Sequence, residues 1–196
     1  MPLAARKVRF RHCHNCGNEV YTIEVQDGPV VEVRCSDCGF PFEVKAQGPV
    51  ATAATDCIVV ADRDRHVLSF ITNALTERRL ASDVLTAESG ADLLALCAER
   101  LSSAQPVGLA IIGTTAPHLD GPSTALALRA VERGLQRLEP TPIVFVYPEW
   151  IDDPLRGLIS LCQPALYLTR ESNPKDSRLD ERLERVVTHL LGQRTT

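Results

Sequence analysis

The stretch LAIIGTTAPHLDG, residues 109–121, decides the fold of this chain. It opens as a short uninterrupted apolar run, LAIIG, and then changes to small residues, hydroxyls, Pro117, Asp120 and Gly121. A run of that length bounded by turn chemistry is a strand, and its lack of alternation is that of a strand buried on both faces. The remainder is a loop. The strand ends on Gly113, which leaves the sheet with no side chain at the point where strands of an α/β protein usually present their chemistry.

Working outward, the same rhythm repeats from residue 56 onward. CIVVA (57–61), DVLTA (83–87), PIVFVY (142–147) and ALYL (165–168) are further short apolar strands. Between them run helical stripes. Val67, Ile71, Ala74 and Leu75 make the first. Leu93, Cys97 and Leu101 make the second, behind a capping box of Ser89 and Asp92. Ala127, Val131, Leu135 and Leu138 mark the third, and Ile151, Leu155, Leu158, Ile159 and Cys162 the fourth. Leu179, Leu183, Val186, Val187 and Leu190 mark the fifth. Five strands alternating with five helices predict an α/β fold: a five-stranded parallel, flavodoxin-like sheet with helices on both faces and strand order 2-1-3-4-5.

The first 46 residues differ. EVYTIEV (19–25), VVEVRC (30–35) and FPFEVK (40–45) read as three short strands around the turn QDGP. So small a unit cannot bury a sufficient core unaided. Two C-x2-C pairs supply the missing constraint: Cys13 with Cys16 and Cys35 with Cys38, each pair followed by Gly. Four thiolates in two knuckles suit one tetrahedral Zn²⁺ ion, with iron the runner-up metal. The pattern resembles a zinc ribbon. A closed four-cysteine site has no open position for substrate, so its expected role is structural. Arg6, Lys7, Arg9 and Arg11 precede the first knuckle, either as a solvated tail or as phosphate contacts. Between the two parts, AQGPVATAAT (46–55) has the small, uncharged composition of a linker. The expected division is a ribbon at 1–46, a linker at 47–55 and an α/β domain at 56–196.

The α/β part resembles the receiver domain of bacterial response regulators. VVADRD (59–64), ESGADLL (88–94), LAIIGTTAPHLDG and ALYLTR (165–170) carry the resemblance, and the loop ending in Pro117, Asp120 and Gly121 is its most specific piece. Receiver chemistry uses a carboxylate at the end of the third strand as phosphoacceptor. It also needs an acidic pair at the end of the first strand for Mg²⁺, a hydroxyl ending the fourth and a lysine ending the fifth. Carried over by position, the acceptor falls on Gly113 and the acidic pair on Ala61 and Asp62. The hydroxyl falls on Tyr147 and the lysine on Arg170, which keeps the charge and changes the geometry. The resemblance therefore implies a pseudo-receiver, with no Mg²⁺ in its pocket. Asp62, Tyr147 and Arg170 are expected to satisfy one another, with Arg170 near Asp62.

The 196 residues are 44% apolar and 23% charged, with a net charge of −4, ordinary for a soluble protein and unlike a dedicated nucleic-acid binder. No apolar run approaches a membrane span and MPLAARKVRF lacks a signal-peptide core, so membrane insertion is not expected and a cytoplasmic location is. Seven cysteines, an odd number, do not make a secreted disulfide framework. Cys57, Cys97 and Cys162 lie in apolar elements and are expected to be packing residues. No Walker motif or nucleophile elbow occurs, so an enzyme is not expected. The expected function is a signalling adaptor that works through protein contacts, a homodimer through the C-terminal face of the receiver among them. Trp150 is a candidate anchor. The alternative is a transcription-linked regulator whose ribbon meets nucleic acid or polymerase.

Overall fold

A computed structural model describes residues 6–13, 19–27, 30–37, 39–46, 55–103, 105, 107–113, 120–148, 153–170 and 178–192. Two sheets organise them. The first has four antiparallel strands in sequential order: β1 (Arg6–His12), β2 (Glu19–Asp27), β3 (Val30–Cys35) and β4 (Pro41–Ala46). The strand β1 corrects the reading of the basic segment as a tail. RKVRFRH pairs with β2 as an edge strand, with Phe10 opposite Tyr21 and a register shift between Lys7 and Phe10. Its apolar residues are only Val8 and Phe10, too few for alternation to stand out among four cations.

The β2–β3 register sets the two faces of this sheet. Thr22 lies opposite Cys35, Ile23 opposite Arg34 and Val25 opposite Glu32. Side chains alternate along a strand, so Val33 and Cys35 face one way and Glu32 and Arg34 the other. Val20, Thr22, Val33, Cys35, Phe40 and Cys13 are buried and form the core of this small unit.

The second sheet contains β5 (Thr55–Ala61), β6 (Ala81–Ala87), β7 (Leu109–Gly113), β8 (Ile143–Tyr147) and β9 (Ala165–Thr169). All four pairings are parallel and the order is β6-β5-β7-β8-β9, the expected 2-1-3-4-5. Every residue of β7, β8 and β9 is buried. That double burial produces their unbroken apolar runs. Each fully buried aliphatic side chain there contributes about 1.5–3 kcal/mol relative to exposure.

The helices α1 (Arg65–Glu77), α2 (Gly90–Ser102), α3 (Gly121–Gly134), α4 (Asp153–Ser160) and α5 (Leu179–Gly192) cover the sheet. Asp64 caps α1 by accepting from the His66 backbone N–H, and Ser89 caps α2 by accepting from that of Asp92. The α2 stripe of Leu93, Cys97 and Leu101 is buried as expected, and so are Leu183, Val186, Val187 and Leu190 of α5.

The α3 stripe is a correction. Leu135 and Leu138 lie beyond the helix and are exposed, Leu138 almost fully. The buried face instead carries Thr124, Ala125, Leu128, Arg129 and Glu132. Arg129 donates to Glu132 Oε2 at 2.7 Å, to the Thr141 carbonyl at 2.8 Å and to the Cys162 carbonyl at 2.7 Å. Glu132 Oε1 accepts from the Thr141 backbone N–H at 2.6 Å. An ion pair with this many hydrogen bonds can occupy a buried face where apolar residues are expected. In α4, Ile159 is buried with the neighbouring Cys162, Leu155 is half-buried and Leu158 is exposed.

Candidate functional site

The carboxyl ends of β5, β7, β8 and β9 converge where receiver chemistry would sit. Ala61 and Asp62 leave β5, Gly113 ends β7, Tyr147 ends β8 and Arg170 follows β9. The structure thus brings the pocket residues together at one edge of the sheet. Trp150 lies outside the described residues.

Asp62 dominates the pocket. It is 1% exposed, and its Oδ1 accepts the backbone N–H of Asp64 at 2.8 Å. Its other oxygen lies over Gly113. A Cβ on residue 113 would stand 1.9 Å from Asp62 Oδ2, 2.5 Å from Cγ and 2.9 Å from Cβ. Contacts this short require Asp62 to move along its whole side chain, because even its Cβ is in the way. The glycine is therefore a spatial requirement: the carboxylate that follows β5 fills the room that a β7 side chain would need.

The other members are spread around this centre. Arg170 Nη1 stands 4.0 Å from Asp64 Oδ2, two residues beyond the Asp62 expected from sequence. The Arg170 backbone N–H donates to the Tyr147 carbonyl at 2.6 Å, which continues the β8–β9 pairing. The Tyr147 ring is buried 6.3 Å from Phe145. Asp120 caps α3, accepting from the Ser123 backbone N–H at 2.7 Å, and has a structural task of its own.

The second candidate site is the cysteine cluster of the small sheet. Cys13 follows β1 and Cys35 ends β3, and both are 0% exposed. The Asp37 backbone N–H points at Cys35 Sγ, 3.4 Å away, and Gly39 has φ +74°. An N–H directed at sulfur favours the thiolate, the form that ligates metal, and the left-handed glycine allows the chain to turn tightly around it. This half of the site fits Zn²⁺ ligation. Cys16 and Cys38 lie outside the described residues, and among the described residues no three His, Cys, Asp or Glu side chains gather as a metal site.

The remaining cysteines are of a different kind. Cys57, Cys97 and Cys162 are buried in the larger domain, and burial pushes all three thiols up, Cys97 to about 12. Such thiols are inert near neutral pH.

A contact absent from the sequence reading joins the two sheets. His189 of α5 meets Glu32 of β3, with Nδ1 3.0 Å from Oε2, and both residues are buried. Arg34 Nε donates to the same carboxylate at 2.7 Å. Burial pushes the Glu32 carboxyl up, but the hydrogen bonds and charges of His189 and Arg34 outweigh it and hold the group below its ordinary value. Among the described residues no helix is long and apolar enough to cross a membrane.

No family model matches the chain, and no curated protein matches it in sequence. Solved structures do resemble it. The receiver domain of the histidine kinase CKI1 from Arabidopsis thaliana, complexed with Mg²⁺ and BeF3⁻, matches with TM-score 0.59 at 18% identity, covering 70% of this chain and 90% of that one. The Vibrio cholerae chemotaxis protein CheY4 matches with TM-score 0.53 at 16% identity over 70% of this chain and 99% of its own. A Francisella response regulator receiver domain matches with TM-score 0.51 at 23% identity, over 72% and 99%. At 16 to 23% identity the likeness shows the fold: the five-stranded parallel sheet and its helices have the receiver architecture.

Proposed function

We propose that this chain is a non-enzymatic signalling adaptor of the bacterial two-component type, in the cytoplasm, in which a zinc ribbon is joined to a receiver that cannot accept a phosphoryl group. The Asp62 carboxylate lodged over Gly113 carries this reading. Phosphoryl transfer needs a nucleophilic carboxylate at the end of the third strand and a cation held by neighbouring acids. Here one buried carboxylate occupies the acceptor's room, and the Arg170 guanidinium stands beside Asp64. The pocket then holds one state and Mg²⁺ has no role in it. Zn²⁺ is held by Cys13, Cys16, Cys35 and Cys38 and is structural. Partners are proteins, met through the face of α4, β9 and α5, where Leu158 and Leu161 are exposed. A homodimer through that face is one form of the contact.

The test is exposure of the metal-loaded chain to acetyl phosphate with Mg²⁺, followed by intact mass, and to BeF3⁻ with Mg²⁺, followed by thermal unfolding. The expected result is no phosphoryl adduct and no shift in Tm. An adduct that maps to the pocket, or a Mg²⁺-dependent rise in Tm, overturns the reading.

One observation favours a second reading. Phe10 of β1 and Tyr21 of β2 form an edge-to-face pair at 5.2 Å and are 57% and 48% exposed, and β1 also carries Arg6, Lys7, Arg9 and Arg11. Aromatic rings beside cations are a platform for stacked bases. A transcription-linked ribbon would bind a labelled single-stranded oligonucleotide with an affinity that falls steeply with salt. Absence of such binding at low salt removes the nucleic-acid form of this alternative and leaves only contact with polymerase.

A further inference from the structure

We infer that the ribbon is a metal-dependent cover for the C-terminal half of α5, latched by Glu32 and His189. The inference rests on the proposed zinc site and adds to it a regulatory consequence.

Three observations meet at this contact. First, α5 is buried over a wider arc than its sheet-facing stripe needs. Leu183, Val186, Val187 and Leu190 account for packing on the larger sheet, yet His189, roughly a quarter turn to the side, is buried as well. What buries it is the ribbon: β4 packs against α5 and the β3 carboxylate of Glu32 reaches His189. Second, the latch strand is also the knuckle strand. Glu32 and Arg34 project from the face of β3 opposite Val33 and Cys35, and Cys35 is its last residue. Third, β3 is paired with β2 and β4, but the described core beneath it is small, and two of its residues are the proposed ligands Cys13 and Cys35.

A unit of this size held by metal unfolds when the metal leaves. Loss of the ion would loosen β3 and β4 and withdraw Glu32 from His189. The larger sheet has its own doubly covered core and would stay folded. The uncovered surface belongs to α5, at the end remote from the degenerate pocket, because α5 runs back along the parallel strands. Metal occupancy could thus change the shape this receiver presents without any phosphate.

The experiment is hydrogen exchange by mass spectrometry on the full chain, with bound metal measured in parallel. Three samples are compared: metal-loaded wild type, wild type after chelation, and metal-loaded Glu32→Gln. Peptides covering 182–192 should exchange roughly tenfold faster after chelation and in Glu32→Gln, while peptides from β5, β7 and β8 stay protected. Adding Zn²⁺ back should restore the wild type. Unchanged exchange of α5 in both altered samples overturns the latch. Faster exchange in Glu32→Gln with none on chelation overturns its dependence on metal. A chain that purifies without metal and takes none up fails the zinc reading itself, by a measurement separate from the α5 exchange.

Discussion

At the scale of single residues, Gly113 and Asp62 must be considered as a pair. Gly113→Ala places a methyl group where Asp62 Oδ2 now lies, 1.9 Å from the ideal Cβ position. Overpacking of this kind costs about 1–3 kcal/mol. The substitution should lower the unfolding free energy extracted from a urea titration by that amount, and Asp62→Ala in the same chain should recover part of it, because the two residues share one space. Strictly additive losses in the double-mutant cycle would show that the clash is relieved elsewhere. Gly113→Asp, which restores the side chain used by active receivers, should be destabilising for the same reason. The cysteines make a second residue-level prediction. Of the seven, Cys57, Cys97 and Cys162 are buried with raised pKa values. A thiol reagent applied to the folded, chelated chain at neutral pH should label only the four ribbon cysteines. Labelling of Cys97 without denaturant would contradict its placement.

At the scale of elements, α3 shows which part of the fold could be read from sequence. Strands β7, β8 and β9 were legible because burial on both faces leaves nothing but apolar residues. The helix stripes of α2 and α5 were legible because their buried positions are apolar. In α3 the buried positions include Arg129 and Glu132, and the apolar Leu135 and Leu138 fall past its end, so periodicity pointed to the wrong side. Glu132→Ala leaves Arg129 buried without its carboxylate and should cost about 3–5 kcal/mol. Leu138→Ser should stay within about 0.5 kcal/mol of wild type. A reversed ranking in denaturant unfolding would restore the sequence-based stripe. The pocket positions came from the receiver resemblance, but the room taken by Asp62 was not legible, since a side-chain direction leaves no mark in the sequence. Nor was the tie between α1 and α5. Arg78 follows α1 and pairs with Asp180 at 2.9 Å and with Glu184. The hydrogen bond from Arg78 holds the Asp180 carboxyl below its ordinary value of 3.8, against the opposing effect of burial. A carboxyl held low binds fewer protons folded than unfolded, so its contribution is complete above 3.8 and is lost as pH falls through the lower folded value. The stability gap between wild type and Asp180→Asn should therefore be constant near neutrality and close in acid. A gap that persists at the lowest pH would assign the effect to something other than the charge.

At the scale of the whole molecule, two units of unequal self-sufficiency share one chain. Among the described residues all five helices belong to the larger unit and none to the ribbon. The larger unit has a sheet covered on both faces, whereas the ribbon's described core is Cys13, Val20, Thr22, Val33, Cys35 and Phe40. By area alone so few residues cannot offset the entropy of ordering about 40 positions. If the proposed zinc site supplies the difference, removal of the metal should act on one unit and spare the other. Chelation of the intact chain should leave the helical far-UV signal nearly unchanged, because the helices remain. It should abolish amide protection in β2 and β3, which depend on the knuckles. The main thermal transition should persist, with a modest fall in Tm that reflects the loss of ribbon packing on α5. Retained protection of β2 and β3 without metal would show that the ribbon has a sufficient core of its own. Loss of the helical signal together with the metal would mean that the ribbon supports the larger sheet and is more than a cover on one of its helices.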